Sequence, residues 1–204
     1  GQHQLRATVV DGTMYQNQSL NQNSVRALNI NSLQTTQEYS AGFSGSTGVV
    51  YDTNLQKTYV INNMAGTVTQ VDPITKQIDA TIKYDDVLIP TNNSNITTCG
   101  LDFGVPCAYT YNQTTHKLYL FDMKSVYIIN TQSKTVEATI DLTGRVLYQG
   151  DVMRLYLDPQ SSYLYVYYAL DGAAGGSTRI NLQSNTIDTN WSVDFGTQSV
   201  VVSA

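Results

Sequence analysis

Apolar and polar residues alternate along much of this chain, and the alternation is clearest at residues 125–140. Apolar side chains recur there at every second position, on both sides of a polar break at residues 131–133. A period of two is typical of a strand with one buried face. A polar break between two such runs indicates a turn. This stretch therefore predicts a β-hairpin.

The same hairpin recurs along the chain. Residues 71–82 repeat most of the sequence of residues 129–140. Ala80-Thr81-Ile82 stands at the place of Ala138-Thr139-Ile140, for example. The weaker copies are residues 178–191 and residues 25–39, the latter with Ile30-Asn31 in the place of Ile129-Asn130. A repeated hairpin is therefore the predicted building unit.

A second type of hairpin precedes each of the clear copies. The same spacing separates its two strands in all three cases, between Tyr51 and Tyr59, Tyr111 and Tyr119, and Leu157 and Tyr165. Each unit thus offers four short strands, which is the content of one propeller blade. We predict an all-β fold of repeated antiparallel β-hairpins, propeller-like or sandwich-like, with an N-terminal β-strand tail.

The first 23 residues differ from the repeats. Apolar and polar residues alternate at the start and predict a strand formed by Leu5, Arg6, Ala7, Thr8, Val9 and Val10. Asp11-Gly12 is a preferred hairpin turn, and residues 16–23 are polar without a period, as in a linker. We therefore divide the chain into a tail with its linker, residues 1–23, and a repeat domain, residues 24–204.

Composition and charge narrow the choice of partners and compartment. Charged residues make up 13% of the chain, about half the usual share, and the net charge of −5 argues against a nucleic-acid partner. No apolar run is long enough to span a bilayer. The chain begins at Gly1 without a methionine, which suggests that a signal peptide was removed. We expect an extracellular, cell-surface protein with no membrane span in the mature chain.

Cysteines and glycosylation acceptors favour the same compartment. Cys99 and Cys107 would close a short loop in a secreted chain and stabilise it by roughly 2–3 kcal/mol; the alternative is two unrelated buried thiols. We favour the disulfide because the pair lies so close in sequence. Acceptor sequences for N-glycosylation occur at Asn17, Asn92, Asn95, Asn112 and Asn190. The protein is therefore predicted to be a glycoprotein.

Residues that could perform catalysis form no recognisable constellation. His3 and His116 lie far apart, and His116 fits a solvated turn. The segment 42–46 is similar to a nucleophile elbow, but Ser46 replaces its second glycine. Asp85, Asp86 and Asp102 could share a calcium ion, although their spacing matches no EF-hand loop. We predict no catalytic residue, no metal and no cofactor; a hydrolase with a site built from loops is the weakest alternative.

The chain holds 15 tyrosines but 4 phenylalanines, which suits half-exposed strands. Alternation predicts that Tyr163, Tyr165 and Tyr167 share one face of a strand and that Tyr156 and Tyr168 lie on the other. Such a ladder can stack on sugars, but cross-strand packing is the favoured interpretation.

The segment Lys57-Thr58-Tyr59-Val60-Ile61-Asn62, followed by residues 71–82, resembles the YVTN family of β-propeller repeats. Residues 117–120 and 129–140 echo it, and the resemblance covers roughly residues 48–192. It implies a secreted or surface protein that serves in binding or structure. Complete propellers usually need more blades than the three clear copies and one weak copy seen here. A four-bladed ring closed by Val200-Val201-Val202 and an open row of sheets both remain as expectations.

In composition and layout the chain also looks like the subunits of archaeal surface filaments, the threads of Sulfolobales. In those filaments an N-terminal tail completes the β-fold of the next subunit. The resemblance implies a glycosylated subunit that forms a homopolymer by donor-strand complementation through residues Leu5 to Val10. The alternative is a monomeric small propeller that binds surface glycans, cells or a protein ligand.

Overall fold

The computed structural model describes residues 7–10, 13–19, 22–39, 46–62, 65–85, 108–122, 125–142, 154–168 and 175–195. These residues form sixteen strands in four antiparallel sheets of four strands each. Within every sheet each strand pairs with the next one along the chain. We call the sheets blades 1 to 4, because a four-stranded meander is the unit of a propeller. The predicted all-β fold of repeated antiparallel hairpins is confirmed.

The strand bounds follow the repeats. Blade 1 contains β1 (Ala7–Val10), β2 (Thr13–Ser19), β3 (Gln22–Asn29) and β4 (Thr35–Tyr39). Blade 2 contains β5 (Ser46–Asp52), β6 (Lys57–Asn62), β7 (Thr67–Val71) and β8 (Ile78–Lys83). Blade 3 contains β9 (Tyr109–Asn112), β10 (Lys117–Asp122), β11 (Ser125–Asn130) and β12 (Thr135–Asp141). Blade 4 contains β13 (Arg154–Leu157), β14 (Tyr163–Tyr168), β15 (Gly175–Asn181) and β16 (Thr186–Phe195).

One turn recurs at the ends of these strands. An Asp or Asn side chain accepts two backbone N–H groups from the residues two and three positions ahead, at Asn29, Asp52, Asp72, Asn112, Asn130 and Asn181. The fourth residue after each has a positive φ, as at His116 (55°) and Lys134 (61°). The carboxylate or amide oxygen holds the backbone in this shape, although the left-handed conformation is costly for a residue with a side chain.

The structure of blade 1 corrects two sequence-based expectations. Asn29, and not Asn31, is the counterpart of Asn130, so the predicted match of Ile30-Asn31 to Ile129-Asn130 was shifted by two residues. The predicted linker at residues 16–23 is wrong, because β2 and β3 run through most of it and pair with each other. Backbone N–H and C=O groups pair equally well in strands of polar and of apolar residues, so a polar composition does not exclude a strand.

The fourth strand of every blade carries a β-bulge. In blade 2 the bulge leaves Asp79 between the pairs Gln70–Ala80 and Val71–Ile78, and Glu137 occupies the same place in blade 3. In blade 4 the bulge is larger, since residues 188–191 stand opposite the single residue Arg179. Bulges bend a strand and redirect side chains, so the outer strand of blade 4 has a shape of its own.

The blades pack face to face in chain order, and each pair of neighbours shares one apolar cluster. Tyr15, Val25, Ala27 and Tyr39 of blade 1 pack on blade 2. Tyr59 and Ile61 of blade 2 pack on Leu118 and Leu120 of blade 3. Ile128 and Phe121 of blade 3 pack on Leu164, Val166 and Ile180 of blade 4. Among the described residues, no apolar cluster joins blade 4 to blade 1.

Several predicted features lie outside the described residues. They are Leu5, Arg6, the Asp11-Gly12 turn, Asn92, Asn95, Cys99, Cys107 and the final strand Val200-Val201-Val202. The disulfide and these glycosylation sites therefore stay predictions. In the described part of the chain, no helix has the length and hydrophobicity needed to cross a membrane.

Candidate functional site

A cluster of titratable side chains lies between blades 2 and 3. Asp52 ends β5, and its side chain is completely buried. Its Oδ1 accepts the backbone N–H groups of Asn54 and Leu55 at 2.8 and 2.9 Å. Its Oδ2 accepts the Tyr111 hydroxyl at 2.5 Å and lies 2.6 Å from Nδ1 of His116. One carboxylate of blade 2 thus binds two side chains of blade 3.

Further hydrogen bonds extend this Asp52 cluster. The Tyr111 hydroxyl lies 2.8 Å from the Thr131 hydroxyl, which in turn lies 2.9 Å from the carbonyl oxygen of His116. Beside it, the Gln113 amide accepts the Thr53 N–H at 3.0 Å and donates to the Tyr51 carbonyl at 2.7 Å. The turn after β5 is therefore tied to the turn after β9 by side chains of both.

The electrostatics of the cluster follow from this geometry. Burial pushes the pKa of Asp52 up, but the donors from Tyr111, Leu55, His116 and Asn54 outweigh burial, and the pKa is lowered overall. Burial, followed by the hydrogen bond to the Asp52 carboxylate, raises the pKa of the Tyr111 hydroxyl. Asp52 is thus a charged acceptor facing a neutral hydroxyl. The cluster joins two blades and presents no oxygen of Asp52 to solvent.

His116 differs from its sequence-based interpretation. It was expected to be a solvated turn residue, but its side chain is only 16% exposed and is bound to Asp52. Sequence reasoning missed Asp52 altogether. The available signal was positional: Asp52 and Asn112 occupy the same place in successive hairpins, and His116 stands four residues after Asn112.

The equivalent position between blades 3 and 4 is neutral. Asn112 replaces Asp52 there, and its amide donates to the Ser161 hydroxyl at 2.7 Å. Asn112 is also a predicted glycosylation acceptor, and its side chain is buried. The other acceptors in described strands are Asn190, which is exposed, and Asn17, which lies in β2. Occupancy of all three stays a prediction.

The second candidate region is the side of blade 4 that points away from blade 3. Leu155, Leu164 and Ile180 pack on blade 3, so the alternate residues of the same strands point outward. These alternate residues, together with Trp191 of the bulge, form what we call the aromatic face: Tyr156, Tyr163, Tyr165, Arg179 and Trp191. The predicted placement of Tyr156 opposite to Tyr165 is wrong, because the two are cross-strand partners and share a side.

Arg179 is the centre of the aromatic face. Its guanidinium carbon lies 4.2 Å from the centre of the Tyr163 ring and 5.4 Å from that of Trp191. Trp191 and Tyr165 meet edge to face, with ring centres 5.2 Å apart. Arg179 also donates to the Asp188 carboxylate at 3.1 and 2.5 Å. This donation lowers the pKa of Asp188 and raises that of Arg179.

Acids in the bulges of blades 2 and 3 also bind cations, but these cations come from different strands. Lys57 of β6 contacts Asp72 at 2.6 Å and Asp79 at 2.7 Å. Lys117 of β10 contacts Glu137 at 2.7 Å. In blade 4 the cation is Arg179, which belongs to β15. Arg179 stands at the position of Ile128 in blade 3, since Tyr165 pairs with Arg179 as Tyr119 pairs with Ile128. A buried isoleucine of blade 3 thus corresponds to a partly exposed arginine of blade 4.

No known family and no curated protein matches the sequence. The structure, in contrast, is similar to solved ones. Hydrazine synthase from Kuenenia stuttgartiensis matches with a TM-score of 0.62 and 14% identical residues, over 91% of this chain and 46% of the other. This chain therefore spans less than half the length of the chain it matches. At this identity the likeness shows the fold alone.

The remaining predicted site residues are dispersed. Ala7, Thr8, Val9 and Val10 of the expected donor strand form β1, which pairs with β2 of the same chain. Asp85 accepts the Tyr127 hydroxyl at 2.5 Å, while Asp86 and Asp102 lie outside the described residues. Within the described residues, no group of three acids, histidines or cysteines is arranged to hold a metal ion.

Proposed function

We propose that this chain is an extracellular, non-enzymatic binding module built from propeller-like blades, with the aromatic face of blade 4 as its binding surface. The observation that supports this most is Arg179, which is held between Tyr163 and Trp191 at a position that is apolar and buried in blade 3. Tyr, Trp and Arg are also the residues that most often dominate binding energies.

The rest of the molecule supports a scaffold role for the other blades. The Asp52 cluster and the apolar clusters hold blades 2, 3 and 4 together. A binding surface works best on elements whose side chains are fixed by packing. Blade 4 meets this condition, because its inward side is anchored on blade 3 through Leu164, Val166 and Ile180.

Binding of labelled protein to isolated cell envelopes tests the proposal. We expect saturable binding by the wild type and at least a tenfold loss of affinity in Trp191→Ala. Arg26→Ala is the matched control, because Arg26 also pairs with an acid, Glu38, but lies on blade 1. Binding that is absent in the wild type, or equal in both variants, would contradict the proposed function.

The second candidate function is a subunit of a surface filament that assembles by donor-strand complementation. The observation in its favour is the position of β1, which among the described strands lies at the edge of its sheet and pairs with β2 alone. A copy of β1 from a neighbour could make the same four residue pairs, and β1 also touches β5 of blade 2. Exchange of an identical strand would keep every native contact.

Truncation distinguishes the two functions. If strands are exchanged, the full chain should form oligomers whose size grows with concentration, and a chain lacking residues 1–10 should stay monomeric. Sedimentation velocity measures both. A full chain that remains a compact monomer at all concentrations would rule out the filament and leave the binding module. The finer resemblances, to YVTN repeats and to archaeal threads, are supported by the Lys57-to-Asn62 segment and by composition, respectively.

Glycosylation would support the extracellular assignment. Of the described acceptors, Asn190 is exposed and Asn112 is buried with its amide bound to Ser161. We therefore expect glycan mass on the peptide that contains Asn190 before any on the peptide that contains Asn112. Mass spectrometry of protein from the native source measures this directly, and an unmodified Asn190 would weigh against the extracellular assignment.

A further inference from the structure

We propose that the aromatic face of blade 4 binds a neutral oligosaccharide chain carried by another molecule. This inference rests on the proposed function and specifies the chemical class of its ligand. It depends on the arrangement of aromatic and charged groups on this surface and on how they differ from the matching surfaces inside the molecule.

The first argument is the row of side chains that crosses the sheet. Tyr156 of β13 is the cross-strand partner of Tyr165 of β14, and Tyr165 is the partner of Arg179 of β15. Trp191 of β16 completes the row beside Arg179. Three strand spacings of ~4.8 Å each give the row a length of ~14 Å. A row of aromatic rings suits the C–H faces of several linked sugar rings, and Tyr156 is already 37% exposed.

The second argument is charge. Arg179 and Asp188 neutralise each other across 2.5 Å, so the centre of the aromatic face offers no net charge to attract an ionic ligand, and the exposed Arg154, the partner of Tyr167, lies at the corner of the same side. Their side chains nevertheless remain 23% and 18% exposed. A guanidinium and a carboxylate together provide donors and acceptors, which match the hydroxyl groups of a neutral sugar. A neutral, hydroxyl-rich ligand therefore fits the face better than a phosphate or a carboxylate.

The third argument concerns a further blade as the occupant. Inside the molecule the equivalent surface of blade 3 carries Ile128 and Phe121 and is covered by blade 4. A further protein blade on blade 4 would meet the Arg179–Asp188 pair where blade 4 itself meets the buried Ile128, and it would therefore bury less apolar surface. A sugar chain leaves part of the pair hydrated and replaces lost water with its own hydroxyls.

The fourth argument is the enlarged bulge. Residues 188–191 stand opposite Arg179 alone, whereas blades 2 and 3 have a single extra residue at this place. The backbone N–H of Asn190 bonds to the Asp188 side chain at 3.1 Å, which fixes the bulge. The bulge brings both Asp188 and Trp191 to the same arginine. Redirected side chains at a bulge are a common feature of binding sites.

Trp191 is the only tryptophan of the chain, so its fluorescence reports on this face directly. We would titrate the full chain, produced without glycans, with linear neutral pentasaccharides of glucose, mannose and N-acetylglucosamine. Calorimetry of the same titrations provides a second readout. We expect at least one pentasaccharide to give a saturable change in Trp191 emission. Arg179→Ala and Tyr165→Ala should each weaken that binding at least tenfold, and Arg26→Ala should leave it unchanged.

Other results would overturn the inference. No saturable signal with any pentasaccharide, or equal binding by Arg179→Ala and wild type, would reject a sugar ligand. A change of Trp191 emission with protein concentration alone would identify a second copy as the occupant instead. Periodate treatment of cell envelopes separates this result from the function itself. Binding that needs Trp191 but survives oxidation of sugars keeps the binding module and rejects the oligosaccharide.

Discussion

The interface between blades 2 and 3 and the aromatic face of blade 4 use the same kinds of residue in opposite environments. Both contain a carboxylate bound to a basic side chain, with tyrosine beside it: Asp52, His116 and Tyr111 in one, Asp188, Arg179 and Tyr163 in the other. The first carboxylate is completely buried and the second is 18% exposed. Burial therefore distinguishes the carboxylate that joins two blades from the carboxylate that stays in contact with water.

The comparison shows how one repeating unit places similar side chains in two environments. The blades share the same turns and the same register between their second and third strands, so each position in one blade has an equivalent position in the next. A side chain that would be destabilising inside, such as an arginine at the position of Ile128, is tolerated on blade 4, where no other blade of the described residues covers it. This surface of blade 4 can therefore change more freely than the surfaces packed between blades 2, 3 and 4.

The strongest test of this comparison removes the buried carboxylate. In Asp52→Ala, the Tyr111 hydroxyl and the His116 ring lose their acceptor inside the interface. We expect the free energy of unfolding to fall by about 3 kcal/mol. Denaturation in urea measures the change. Asp72→Ala is the matched control, because Asp72 forms the same turn but is partly exposed, and it should cost about 1 kcal/mol. Equal losses would refute a special role for burial.

The next largest effect concerns the two tyrosine hydroxyls. Tyr111→Phe leaves Asp52 and Thr131 without a shared partner and should destabilise the fold by about 1.5 kcal/mol. Tyr156→Phe removes a hydroxyl from an exposed side chain and should stay within about 0.5 kcal/mol of the wild type. Urea denaturation of both variants provides the measurement. A larger loss in Tyr156→Phe would reverse the comparison.

Acid provides a third test, because folding lowers the pKa of both Asp52 and Asp188. A lowered pKa contributes stability above the unfolded value, ~3.9, and this contribution is lost as pH falls through the folded value. We therefore expect the free energy of unfolding to decline below about pH 4. Asp52→Asn should decline less steeply. Added salt should weaken the exposed Asp188 pair but leave the buried Asp52 contribution nearly unchanged; a uniform salt effect would contradict this.

The smallest effect compares two turn residues of similar backbone conformation. Lys134 and His116 both have positive φ, 61° and 55°. Lys134→Gly should stabilise the fold by about 0.5 kcal/mol, because glycine adopts this conformation without strain. His116→Gly gains the same relief but loses the bond to Asp52, so it should destabilise. Thermal unfolding of both variants measures the difference, and a gain in His116→Gly would show that the bond contributes little.

Much of the fold could be predicted from the sequence, and little of the candidate sites. Alternation of apolar residues and the repeated Asp or Asn at the turns specify strands and hairpins locally, so blades 2 to 4 follow from the text of residues 49–191. Blade 1 was harder to predict, because its second and third strands contain mostly polar residues. Their pairing satisfies the backbone, which alternation does not reveal.

The sites depend on contacts between distant residues, which local patterns do not encode. Asp52 meets His116 only because two blades pack side by side, and Arg179 meets Trp191 only because a bulge inserts residues into β16. Period-two reasoning also failed to place Tyr156, because it gives the faces of one strand but not the register between two strands.

Each blade is a meander of four consecutive strands, and this order has a consequence for synthesis. Each described strand finds its partner close by in the chain, because all sheet pairing among the described strands is between neighbours in sequence. Local pairing makes folding fast. We therefore expect blades to fold one after another as they leave the ribosome, each on the surface of its predecessor. A ribosome stalled far enough beyond residue 85 for both blades to have left its exit tunnel should already carry two protease-resistant blades.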